Sequence, residues 1–100
     1  MGRVISIALL CALTSGAHAG GFMLTSFYSP RAANIAAHRT LPFGTQLRLT
    51  NPRNGHSVVV TIRDRGPFVR GRSLDISRAY AQQLGITRVG VARLEVTQVH

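Results

Sequence analysis

Of the 100 residues only Asp64, Asp75 and Glu95 carry a carboxylate and only four carry an imidazole, so the groups able to move a proton are few. Asp64 lies in Arg63-Asp64-Arg65-Gly66-Pro67-Phe68, at the end of the most strand-like run of the chain. Val58 to Ile62 is β-branched almost throughout. Gly66-Pro67 then stops any ladder, because proline has no N–H and glycine favours unusual backbone angles. A carboxylate is thereby delivered to a strand end. If that strand ran on to Arg65, Arg63 and Arg65 would point to the face opposite Asp64 and need not neutralise it. A carboxylic acid placed so could serve as a general acid if burial or a neighbouring carboxylate raised its pKa, and apart from Glu95 the candidates are Asp64 and Asp75. The alternative is an aspartate that merely hydrogen-bonds its turn.

The remaining candidates are weaker on spacing alone. Asp75 follows Ser73-Leu74 in what reads as a short strand, where Asp75 or Ser77 would cap the next helix. Glu95 falls on the polar side of an alternating run and is expected to be structural, and an isolated His38 is more often structural than functional. His56 follows a hairpin turn. No Cys/His or Asp/Glu cluster has metal-ligand spacing and nothing resembles a phosphate loop, so neither a metal nor a cofactor is expected.

The elements that must position these groups follow from period and punctuation. Phe22 to Tyr28 is an apolar, aromatic strand stopped at Ser29-Pro30, and the Ala-rich Arg31–Ala37 stretch could make one helical turn before Leu41-Pro42-Phe43-Gly44 interrupts it. Gln46 to Thr50 alternates as a half-buried strand, Asn54-Gly55 signals a hairpin, and residues 57–63 pair back. After the basic loop Arg70-Gly71-Arg72 come a short strand, a helix over Arg78–Leu84 stopped by Gly85, and a closing strand from Val91 to Val99 with one wet face. Four to six short strands and one short helix suggest a small closed barrel, since closure removes exposed edges.

Composition bounds the setting. Hydrophobic residues make up 45% of the 100-residue chain, which bounds it to one small domain with a single modest core. Arg3, the apolar run Val4–Leu13 and Ala17-His18-Ala19 have the order of a secretory signal, with cleavage expected after Ala19 and residues 20–100 forming the exported domain. Cys11, the only cysteine, lies inside that segment, so no disulfide is expected in the exported domain, and the bulky Leu10 before it argues against lipidation. The chain carries twelve basic residues, all arginine, against three acids, a net charge of +9. Such a surface seeks anions, and export points to anionic envelope polymers in the periplasm rather than to nucleic acid or stable membrane insertion.

Ser26-Phe27-Tyr28, Ala36-Ala37-His38-Arg39-Thr40-Leu41-Pro42-Phe43-Gly44-Thr45, Thr50-Asn51, Asn54-Gly55, Asp64-Arg65-Gly66-Pro67-Phe68 and Leu74-Asp75-Ile76-Ser77 together resemble the rare lipoprotein A (RlpA-like) family. The likeness covers nearly all of the chain after Ala19. It implies a six-stranded double-psi β-barrel with one or two short helices, related in fold to barwins, expansins and membrane-bound lytic transglycosylase A. It also implies a monomeric endolytic enzyme that cleaves peptidoglycan glycan strands, preferring those stripped of stem peptides. Carried over residue by residue, the family's functional Asp falls on Asp64 and its His on His38, while Asp75 occupies the place of a polysaccharide-site carboxylate.

The chain departs from the family in one place. The Gly-Glu-x-Phe/Tyr segment has no counterpart, since only nine residues separate Tyr28 from His38 and none is acidic. A non-catalytic, expansin-like glycan-binding barrel is therefore the alternative reading. A lytic transglycosylase needs less than a hydrolase, because one carboxyl can protonate the glycosidic oxygen and then deprotonate the sugar's own C6 hydroxyl. Tyr28, Phe68 and Tyr80 are candidates for stacking on sugar rings, although such aromatics are more often core. Arg65, Arg70 and Arg72 are candidates for the lactyl carboxylates of the strand.

Overall fold

The structure is a computed structural model and describes residues 21–29 and 34–99; the expected signal segment and residues 31–33 of the Ala-rich stretch lie outside the described residues. Six strands, β1 (Gly21–Tyr28), β2 (Ala36–His38), β3 (Gln46–Thr50), β4 (Ser57–Asp64), β5 (Leu74–Ser77) and β6 (Val91–Val99), close into a barrel in the order β1-β5-β2-β4-β3-β6. Alternation explains the inside. Leu47 and Leu49 of β3 and Leu94 and Val96 of β6 face the core while Gln46, Arg48, Arg93 and Glu95 face water. Val60, Ile62, Leu74 and Ile76 complete the fully buried centre.

Two of the six pairings are parallel, β1 with β5 and β2 with β4, and the rest are antiparallel. That mixture brings chain segments far apart in sequence side by side at one end of the barrel. The one helix among the described residues, α1 (Arg78–Leu84), lies against β4 and β5 and buries Tyr80, Ala81 and Leu84. Tyr80 is thus a core residue, its hydroxyl donating to the Asn34 carbonyl, and is not available for sugar stacking.

Two local expectations are corrected. Ala36 and Ala37 are not helical but form β2, because both their backbone sides are needed by β4 and β5. Asp75 does not cap α1. Its side chain is turned to Ser26, and the N-cap residue Ser77 makes no side-chain cap bond, its buried hydroxyl lacking a partner among the described residues.

The far end of the barrel is tied by amides. Asn51, buried in the β3–β4 turn, and Asn54 both donate from Nδ2 to the Leu84 carbonyl, at 2.8 and 3.1 Å, so the orphan carbonyl at the end of α1 is satisfied by the hairpin. Gly85 follows with φ +74°, and a Cβ there would sit 2.8 Å from Asn54 Nδ2. Gly85→Ala therefore combines a left-handed penalty with loss of that contact and should lower unfolding free energy by about 2 kcal/mol, measured by denaturant titration.

Candidate active site

The residues that could do chemistry meet where β4, β2, β5 and β1 run side by side. Asp64 is in register with Ala37 of β2, Ala37 is in register with Asp75 of β5, and Asp75 is in register with Ser26 of β1. The Cα atoms of the two aspartates are therefore two ladder spacings apart, about 10 Å. Ala37 is the residue of β2 in register with both. A register shift between Ala36 and Ala37 is what aligns residue 64 rather than 63 with this row.

The two carboxylates live in different surroundings. Asp64 ends β4 in the open, where Oδ1 accepts the Arg65 N–H at 2.8 Å and Oδ2 accepts the Tyr28 hydroxyl at 3.2 Å. Asp75 is half-buried and its Oδ1 accepts the Ser26 hydroxyl at 2.8 Å. Burial pushes the Asp75 carboxyl above its ordinary range, and the charge of Asp64 pushes the same way. The Ser26 hydrogen bond and Arg72 pull against that shift without cancelling it. Tyr28 is pushed up to about 12, first by burial and then by the charge and hydrogen bond of Asp64, with Asp75 adding to it. Its phenol stays a neutral donor at any physiological pH.

Ser26 and Tyr28 lie two apart on β1, so both hydroxyls point to one face and each reaches one carboxylate. Ser26 was not among the residues singled out from the sequence as part of the site. The signal for it was there, in its two-residue spacing from Tyr28.

His38, the last residue of β2, is half-buried. Its Nδ1 accepts the backbone N–H groups of Thr40 and Leu41 at 3.1 and 3.0 Å. Burial lowers its pKa below the ordinary histidine range, and the charges of Arg39 and Arg65 lower it further. The ring is therefore neutral with its proton on Nε2, a donor and not a cation.

The arginines divide. Arg65 Nη1 donates to the carbonyls of His38 and Leu41, at 3.1 and 2.7 Å, and its guanidinium lies 4.2 Å from the centre of the Phe43 ring. Much of its donor capacity thus goes to the loop after β2. Arg39, from that loop, donates from Nη1 to the Pro67 and Arg72 carbonyls at 3.0 and 2.7 Å. Arg70 is exposed, and the charge of Arg72 is felt at Asp75. Phe68 is 79% exposed on the turn after Asp64. Glu95 and His56, on the outside of the barrel and in the hairpin turn, are not brought to this place.

Among the described residues no group of three or more His, Cys, Asp or Glu side chains is arranged to hold a metal ion. A groove of about 610 Å³ between the β3–β4 turn and the segment after α1 is lined by residues such as Phe22, Pro52 and Val89, but contains no carboxylate. It lies at the end of β4 away from Asp64.

The family model described as lytic transglycolase matches residues 26–96. A probable endolytic peptidoglycan transglycosylase RlpA of Nostoc sp. is 58% identical over 71 residues, covering 69% of this chain and 19% of that protein. The endolytic peptidoglycan transglycosylase RlpA of Neisseria meningitidis serogroup A is 47% identical over 67 residues, covering 67% of this chain and 28% of that protein. The chain thus spans well under a third of the length of these curated relatives. An expansin of Clavibacter michiganensis, solved as a point mutant in complex with cellohexaose, shares the fold with a TM-score of 0.68 at 18% identity, over 81% of this chain and 50% of that one. With a match that runs from the Ser26 of the carboxylate row through to Val96 of the closing strand, this chain belongs to the lytic transglycolase family and has its double-psi β-barrel.

Proposed function

We propose that the protein is an exported lytic transglycosylase that cleaves the glycan strands of peptidoglycan, favouring strands without stem peptides, with Asp64 as its acid and base. Family membership supports the reaction class. The observation that carries the assignment to Asp64 is its place: a carboxylate open to a polymeric substrate, fixed through both oxygens, with a recessed second carboxylate across Ala37.

A glycan strand laid over the open end of β4 would bring a glycosidic oxygen to the Asp64 carboxyl group. Asp64 then gives its proton to the glycosidic oxygen, which leaves with the electron pair of the C1–O bond. The resulting carboxylate removes the proton from the C6 hydroxyl of the same sugar, and O6 closes on C1. Asp64 is protonated again, no water is consumed, and the new end is a 1,6-anhydro sugar. Tyr28 holds the carboxylate through a hydroxyl that does not ionise, and neutral His38 offers Nε2–H to a sugar oxygen.

Asp64→Asn keeps the shape of the group and loses the proton. Turnover, followed as anhydro ends released from denuded strands by mass spectrometry, should fall by at least ~10²-fold with little change in thermal unfolding. Full turnover in the folded variant, with turnover lost in Asp75→Asn, would move the assignment to Asp75. A parent protein that binds strands and releases no anhydro ends would favour the glycan-binding reading, which the lack of any acidic residue between Tyr28 and His38 supports.

The raised Asp75 carboxyl has a stability consequence with a defined sign. The folded state holds this proton more tightly than the unfolded state, so stability is lost as pH rises through the folded-state pKa, and no loss is present below the ordinary carboxylate range. Asp75→Asn retains an oxygen for the Ser26 hydroxyl and removes the buried charge. Its melting temperature should exceed the parent's at neutral pH, and the gap should close in acid. An equal gap at both ends of the titration would show that the charge is not the cause.

Salt offers a separate check on the basic loop. Exposed charge attraction is screened over about 8 Å at physiological ionic strength. Replacing Arg70 and Arg72 by Gln should remove most of the salt dependence of strand binding; an unchanged profile would place the anion contact elsewhere.

A further inference from the structure

Phe43 is 58% exposed, yet the turn that carries it is firmly held. Thr45 donates to the Pro42 carbonyl from both its backbone N–H and its hydroxyl, at 3.1 and 2.6 Å. Gly44 N–H donates to the Ile62 carbonyl at 2.8 Å and Ile62 N–H donates back to the Thr45 carbonyl at 2.9 Å, so the turn is laced to β4. Gly44 has φ +94°, a conformation that fits glycine and makes this tight reversal possible. The guanidinium of Arg65 lies over the Phe43 ring, 4.2 Å from its centre.

Arg65 also connects that ring to the carboxylate. Its N–H donates to Asp64 Oδ1 and its Nη1 holds the His38 and Leu41 carbonyls. Apart from its contact with Arg65, a large apolar ring left in water contributes little to folding. What it offers is a flat surface whose ordering cost is already met, next to a carboxylate, and the apolar C–H face of a pyranose is the complementary shape. We propose that Phe43 is a stacking platform for one pyranose ring of the bound glycan, with Arg65 as the residue that positions it. The partner class follows from the reading of Asp64 as a glycan-cleaving group, on which this inference rests. Arg39, which bonds the Pro67 and Arg72 carbonyls, ties the loop that carries Phe43 to the loop that carries Phe68, the second exposed ring.

The test uses the whole chain with two probes, denuded peptidoglycan strands and uncharged cellohexaose. Phe43→Ala should weaken binding of the strands about tenfold, the size of one good aromatic contact, and weaken cellohexaose in the same direction. In turnover the effect should fall on KM more than on kcat, with an unfolding midpoint like the parent's. Phe43→Tyr should restore affinity. Arg65→Lys keeps the charge but cannot hold two carbonyls and a ring together, so it should lower affinity with the salt profile unchanged, and adding it to Phe43→Ala should cost little more. Parent-like affinity in folded Phe43→Ala overturns the platform. So does a loss that tracks lowered melting temperature and is not restored by Phe43→Tyr. The two readings fail separately: a parent that binds strands without releasing anhydro ends counts against the transglycosylase alone, whereas a parent that binds neither probe overturns both.

Discussion

The three-residue strand β2 is the constraint on which the site depends. Its backbone pairs with β4 on one side and β5 on the other, and Ala37 is the point at which both ladders carry an aspartate. Backbone pairing therefore sets the spacing of the two aspartate Cα atoms, and the Ser26 and Tyr28 hydroxyls orient their carboxylates. A larger residue at position 37 would stand in the gap across which Asp64 raises the pKa of Asp75. The strand is short because it ends at His38, whose own ring then takes over as acceptor for the next two N–H groups of the chain. Ladder, bulge and imidazole together shape this strand end, with the ring pairing the Thr40 and Leu41 N–H groups.

Charge is used economically on that rim. Irregular loops leave carbonyls that no ladder satisfies, and a guanidinium with several N–H donors in one plane can take two of them at once. Arg39 and Arg65 do this in opposite directions across the same gap, each from one loop to the other. Three arginines also lie over phenyl rings, Arg65 on Phe43, Arg78 on Phe27 and Arg93 on Phe22. A net charge of +9 thus overstates the cation available to a ligand, because part of it serves the protein's own carbonyls and rings.

Period and punctuation made most of the barrel legible. Alternation located β3 and β6, Asn54-Gly55 located the hairpin, Gly85 the end of the helix, and Gly66-Pro67 the end of the strand bearing Asp64. What they could not carry was anything whose partner is distant in sequence. Ala36-Ala37 has helical propensity, and only two tertiary ladders overrule it. Asp75 precedes a helix by the spacing of a cap, and its bond to a serine 49 residues away is invisible to local pattern. Arg65 looked like a ligand for anions because sequence shows charge but not the two carbonyls that claim it. The grouping of Asp64, Asp75 and His38 came from family resemblance, and parallel pairing between non-neighbouring strands is the physical reason it could not come from spacing.

The lack of the family's glutamate bears on which reaction so sparse a site can perform. Hydrolysis by two carboxyls asks for a second group to activate water, placed on the far side of the sugar from the acid. Asp75 is a poor fit to that task, being recessed and bound to Ser26. Ring closure by O6 asks for no water and no second base, because the proton given to the leaving oxygen is replaced by one from the substrate itself. Asp75 stands instead as a recessed carboxylate bound to Ser26, two strands from Asp64. A single open acid backed by a recessed one is enough for a reaction whose nucleophile arrives with the substrate.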